Sequence, residues 1–151
     1  MEQRVPKRNE VPEELTWDLS DIYKDTAAWE ADAEKAMDLA DELAAMEGRA
    51  AKDAASLLGA MDLYAECMER TYSVYSYAMM KNDEDTRESA GQELVFRAQS
   101  LNTKVSEKIS FLEPEILSLP EETLSSYFEK EPGLLLFQNI NQNLLNMGEK
   151  L

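Results

Sequence analysis

Cys67 is the single cysteine of the chain, and there is no histidine. A catalytic thiolate needs a base beside it, and the residue that most often serves is missing. The same gap removes a Ser-His-Asp triad and a His-ligated zinc site from the chemistry this sequence can perform by itself. Cys67 falls in an apolar helical run and reads as a buried, inert thiol; with no second cysteine, no internal disulfide can form. Carboxylates remain, 31 Asp+Glu in all. Their run Asn82-Asp83-Glu84-Asp85 invites a calcium-loop reading. A loop of the EF-hand type also needs a glycine midway and a glutamate at its end, and the registers starting at Asp83 and Asp85 do not supply both. Capping explains the run better, with Asp85 or Thr86 starting a helix whose dipole the acids complement. No carboxylate pair stands out for acid–base work, because the acids fall on helix faces expected to be wet. There is no glycine-rich phosphate loop and no internal repeat. The sequence therefore nominates no catalytic, cofactor-binding or metal-binding residue.

The chain that must position these residues has 151 of them, one ordinary domain by length and long enough to bury a core. Hydrophobic residues make up 44% and charged residues 30%, a folding composition, and 5 Gly and 5 Pro are too few for a turn-rich β design. The net charge of -16 repels phosphate backbones and anionic lipid. The densest basic cluster, Arg4, Lys7 and Arg8, is interleaved with Glu2 and Glu10. Neither nucleic acid nor a membrane is an expected partner. The acidity reads first as a solubilising surface and second as a lure for a basic partner. Residues 1–14 are polar and lack the apolar core of a signal peptide. No stretch approaches the roughly 20 apolar residues of a membrane helix. Cytoplasm is the expected compartment.

Residues 1–24 lack helical periodicity and read as an extended N-terminal arm, with residues 25–151 as a helical domain. Near the end of the arm, a turn built on Asp18 and Ser20 should press Trp17, Leu19, Ile22 and Tyr23 onto that domain. A first helix is predicted over 26–47, capped by Asp25 or Thr26 and closed by Gly48 in the left-handed conformation. Its inner face is Trp29, Ala33, Ala36, Ala40 and Leu43, widened by Leu39 and Met46; its acidic outer face should be solvated. A second helix is predicted over 54–81 behind Asp53, on the repeat Leu57, Met61, Tyr64, Met68, Thr71 or Tyr72, Tyr75 and Met79. Gly59 within it suggests a break or a close helix approach. Tyr72, Tyr75, Tyr77, Met79 and Met80 form an aromatic-methionine patch that serves either core packing or docking to another domain.

The third helix, 86–112, has the cleanest stripe: Leu94, Ala98, Leu101, Val105, Ile109 and Leu112, with Pro114 ending or kinking it. Ser118-Leu119-Pro120-Glu121 has the capping-box pattern and opens a short helix reaching about Glu129, with Leu124, Tyr127 and Phe128 inward. Pro132-Gly133 is a breaker, and Leu134-Leu135-Leu136-Phe137 with Ile140, Leu144, Leu145 and Met147 suggests a last helical segment. The fold class is all-α: an antiparallel bundle or hairpin of long helices behind an extended arm, because short loops force neighbouring helices antiparallel.

Several segments together resemble a known family. Pro12-Glu13-Glu14, Trp17-Asp18-Leu19-Ser20-Asp21-Ile22-Tyr23, Trp29, Tyr75 and Tyr77 followed by Asp83-Glu84-Asp85-Thr86, Phe111-Leu112-Glu113-Pro114-Glu115-Ile116-Leu117, and Leu119-Pro120-Glu121-Glu122-Thr123-Leu124 occur in an order similar to the N-terminal region of oligoendopeptidase F, a group of thimet-oligopeptidase-like zinc metallopeptidases. The likeness spans roughly residues 6–137, and the amide-rich stretch 138–151 departs from it. The resemblance implies an all-helical, non-catalytic portion that packs on a catalytic domain and helps wall a substrate channel for short peptides. It also implies zinc in the full-length protein, held by an H-E-x-x-H helix that has no counterpart in this chain. No cofactor is expected in the chain itself, and alone it should be inactive. The other reading is a stand-alone acidic helical interaction module without enzymatic activity. If the chain is a piece of the larger peptidase, apolar surface left bare on the Tyr72-Tyr75-Met79 side of the second helix and at Leu134-Leu135-Leu136-Phe137 should permit a weak homodimer, promoted by salt that screens acidic repulsion; a strict monomer favours the self-contained module.

Overall fold

The computed structural model describes residues 4–137; the expected segment around Ile140, Leu144, Leu145 and Met147 lies outside them. The helices run α1 (Thr26–Ala44), α2 (Ala54–Glu84), α3 (Ser89–Ile109), α4 (Leu112–Leu117) and α5 (Glu121–Lys130), followed by a 3-10 segment, Pro132–Phe137. No strand occurs among the described residues, so the chain is all-α. The three long helices pack on one another, each against both others.

Two apolar clusters hold them. One joins Trp29, Ala36, Leu39 and Ala40 of α1 to Cys67, Val74, Tyr77 and Ala78 of α2 and Ala98, Leu101 and Val105 of α3. The other joins Leu43, Leu57 and Met61 to Leu112, Ile116, Leu124, Tyr127 and Leu134. Helix α2 contributes several buried residues to both and is the spine, while α1 reaches the second through Leu43. Ala36, Ala40, Ala78 and Ala98 are fully or almost fully buried, and their small side chains let the backbones approach.

Asp25 caps α1 by accepting from the Ala28 N–H at 2.8 Å, and Asp53 caps α2 through the Ser56 N–H at 2.7 Å. Helix ends elsewhere differ from expectation, for local reasons. Helix α1 stops at Ala44, short of 47, because the chain tightens into i to i+3 bonds such as Met46 N–H to Leu43 O at 2.9 Å. Gly48, at φ +78°, supplies the left-handed residue inside this turn and not beside the helix end. Helix α2 passes unbroken through Gly59, whose open side meets nothing within 4 Å, and continues past Lys81 to Glu84. Helix α3 starts at Ser89 and not at 86, since Asp85 is engaged by Arg87 through its backbone and guanidinium and caps no helix. It ends at Ile109, so Leu112 and Pro114 belong to α4. There Pro114 occupies a first turn, where its missing N–H needs no partner. The capping box at Ser118 does not form: its hydroxyl donates back to Glu115 O at 2.7 Å, and Pro120 precedes α5.

The arm is a series of 3-10 turns, Arg8–Glu10, Glu13–Leu15 and Leu19–Asp21. Asp18 accepts from the Ser20 N–H at 3.0 Å, the expected turn. This turn buries Leu19 and half-buries Tyr23, whose ring meets Tyr77 edge-on at 5.4 Å. It does not cover Trp17, which is 61% exposed, or Ile22. The phenol of Tyr23 donates to Asp32 at 2.5 Å, and Arg8 pairs with Glu84 at 2.9 Å, so the arm is fastened to α1 and to the far end of α2.

Candidate docking groove

The side chains with reactive potential are committed to structure. Cys67 is fully buried; its thiol donates to Ala36 O at 3.3 Å, and burial pushes its pKa up, away from thiolate. In the acidic run, Glu84 is held by Arg8 and Lys81, while the Arg87 guanidinium and backbone hold the Asp85 carboxyl down at about 2. These are closed ion pairs, not an open set of ligands. The acidic face of α1 is less bare than its sequence implied: Asp32 takes Arg70, Glu30 takes Arg97 at 2.9 Å and Asp41 takes Lys108. Arg97 also lies over the Trp29 ring at 4.9 Å. Among the described residues no group of three or more His, Cys, Asp or Glu side chains is arranged to hold a metal, and with no histidine the donor set does not fit a zinc site.

What the structure does present is a groove between α2 and α3, on the side away from α1. A cavity of about 300 Å³ is lined by Met61, Tyr64, Met68, Ser106, Ile109 and Ile116 among others. A second, of about 380 Å³, continues from Met68 past Tyr72 and Tyr75, facing Gln99, Asn102 and Thr103. Phe96, one turn before Gln99 on α3, is 72% exposed, and Tyr72 is 74% exposed. The second cavity has no charged lining residue, and Glu113 is the single charge in the first. The cause is partition on α3: Arg97 and Lys108 reach across to the acids of α1, leaving Gln99, Asn102, Thr103, Ser106 and Ser110 for the opposite side. An uncharged lane beside Met and Tyr, on a chain of net charge -16, has the charge-poor character of an interface core.

The expected aromatic-methionine patch is thereby divided. Tyr77 is core, Tyr75 and Met80 pack on it, and Tyr72 stands out on the groove. Of Leu134-Leu135-Leu136, only Leu134 is buried. The lane of small polar residues on α3 was not singled out in the sequence, although its i, i+3, i+4 spacing at Gln99, Thr103, Ser106 and Ser110 was the available signal.

Comparison with known proteins places this helical arrangement. The chain is 38% identical over 141 residues to the plasmid-encoded oligoendopeptidase F of Lactococcus lactis subsp. cremoris, covering 91% of this chain and 23% of that protein. It is 33% identical over 136 residues to the oligopeptidase PepF of Bacillus subtilis, covering 90% of this chain and 20% of that protein. The crystal structure of oligoendopeptidase-F from Enterococcus faecium superposes with a TM-score of 0.74 at 29% identity, over 82% of this chain and 24% of that one. The chain is homologous to a part of oligoendopeptidase F. It spans about a quarter of the length of the oligoendopeptidase F proteins it matches. A putative peptidase from Chlamydophila abortus shares the fold, with a TM-score of 0.79 at 20% identity over 96% of this chain and 24% of that one. No protein-family model matches the chain.

Proposed function

We propose that this chain is the non-catalytic N-terminal helical portion of an oligoendopeptidase F-type zinc metallopeptidase that cleaves short peptides in the cytoplasm. Its role is to pack on the catalytic domain and form part of the wall of the substrate channel. Such a wall acts by exclusion, since a narrow channel admits unfolded peptides and rejects folded chains. Within it, residues 1–24 are the arm and residues 25–151 the helical body. Zinc belongs to the catalytic domain, as does the turnover. The observation that carries the reading is the match itself: 91% of this chain against 23% of a named oligoendopeptidase F, by a chain without histidine. On its own the chain should form at most a weak, salt-promoted homodimer.

The test is a chimera in which the chain replaces the matched segment of the Lactococcus lactis enzyme. The chimera should hydrolyse quenched-fluorescent peptides in a chelator-sensitive way, and the isolated chain should not. Chelator-sensitive turnover by the isolated chain would overturn the non-catalytic role. A folded chimera whose remaining three quarters leave this chain untouched would favour the other reading, a self-contained acidic interaction module.

A further inference from the structure

We infer that the α2–α3 groove is the seat of one amphipathic helix from the rest of the same peptidase, an inference that rests on the proposed function. The groove carries one charged lining residue, Glu113 at its α4 end, where the remainder of the chain is strongly acidic, so its complement is an apolar ridge and not a basic patch. From Phe96 to Ser110 the α3 side spans about 21 Å at 1.5 Å per residue, the length of a helix of roughly 14 residues. Tyr64, Met68, Tyr72 and Tyr75 offer rings and flexible thioethers along one wall, and Gln99, Asn102, Thr103 and Ser106 offer short neutral hydrogen-bonding groups along the other. Such a seat takes Leu, Ile, Phe or Met side chains repeating at i, i+3, i+4 and i+7, with backbone or amide groups toward α3.

The occupant follows from length. The matched oligoendopeptidase F proteins carry about three quarters of their residues outside the region shared with this chain, so a covalently linked partner accompanies this fold in each of them. A linked helix meets the groove at high effective concentration, which suits a seat with little charge to steer a free partner. The exposed arm surface at Leu15 and Trp17 is the competing site, but Arg8, Asp83 and Glu84 line the hollow beside it, and Arg8 and Glu84 are already paired there.

The experiment is hydroxyl-radical footprinting of the Lactococcus lactis chimera against the isolated chain, run also with the two parts of the chimera mixed as separate polypeptides. Oxidation of Tyr72, Phe96 and Met68 should fall roughly fivefold or more in the assembled form, as enclosure in an interface core removes solvent contact. Protection should persist at high salt. Tyr72→Glu should abolish it at Phe96 and Met68, and Trp17→Glu should leave it intact. Both side chains are exposed in the isolated chain, so neither variant threatens its fold. Protection confined to Leu15, Trp17 or Leu136 would overturn the groove assignment and leave the proposed function standing. No protection anywhere on the chain would sink the proposed function with it. Two further controls also bear against the inference. Protection in the isolated chain that rises with its own concentration hands the groove to a second copy. Tyr72 oxidation that rises when the chain is truncated after Phe137 hands it to residues 138–151.

Discussion

The Trp29 indole on α1 donates to the Val74 carbonyl on α2 at 2.9 Å, entirely within the core. Mid-helix carbonyls are already bonded along their own helix, so this second bond fixes the register of α1 against α2. Trp29→Phe keeps most of the ring and loses the donor and much of the surface under Arg97. It should cost about 2 kcal/mol, the hydrogen bond and the packing loss together. Urea unfolding followed by circular dichroism measures it; an unchanged midpoint would mean that the bond contributes nothing.

Two glycines should respond in opposite directions. A methyl at Gly91 would sit 2.8 Å from the Asn82 backbone Cα, so α3 would have to back away from α2. Gly91→Ala should destabilise by about 1–3 kcal/mol. Gly59 lies exposed within α2 with open space around it, so Gly59→Ala should stabilise by about 0.5–1 kcal/mol. Thermal melts of the pair test both signs together.

Glu115 on α4 accepts from the backbone N–H of Gly48 and, at 3.1 Å, of Ala50, tying the α1–α2 turn to α4. A carboxylate can serve both donors with separate oxygens, and an amide has one. Glu115→Gln should therefore cost about 1–2 kcal/mol, the scale of one charge-assisted bond. Amide exchange at Gly48 and Ala50 should quicken more than exchange within α2. Equal quickening everywhere would show a global effect instead.

Burial, then the hydrogen bond and charge of Asp32, push the Tyr23 pKa well above that of a free phenol. The shift favours the neutral form in the fold. Its contribution is whole below about pH 10, where an unfolded tyrosine ionises, and is lost as pH rises toward the folded value. Tyr23 should titrate late at 295 nm, with release of the arm when it does. Tyr23→Phe should remove that late step; a parent protein and a variant with the same titration curve apart from one fewer ordinary phenol would contradict it.

Local chemistry read correctly from the sequence where it is decided within one turn. Asp25 and Asp53 cap as their types and positions indicate, and the Leu94-Ala98-Leu101-Val105 stripe faces inward because a single helix face settles it. Reading failed where two elements compete. Asp85 could cap α3 or bind Arg87, and the nearby cation prevailed. Ser118 could cap α5 or fold back on Glu115, and Pro120 at the cap position favoured the second.

The sequence by itself determined that the chain is helical, acidic and without a histidine-based site, because those depend on composition and on a period of 3.6 residues. It also carried the family likeness, which rests on the order of local motifs. The tertiary structure alone decided which apolar residues are left over. Helix α2 packs on two neighbours at once, so its buried set adds Ala60, Cys67, Val74, Tyr77 and Ala78 to Leu57, Met61 and Thr71 of the stripe read from spacing; Tyr64, Met68, Tyr75 and Met79 of that stripe are only half-buried, and Tyr72 is turned out to water. The neutral lane on α3 likewise acquires meaning only when Arg97 and Lys108 are seen to reach α1. A helical period gives the angle between side chains on one helix; it does not say how many other helices share that surface, or which side of it is left without a partner.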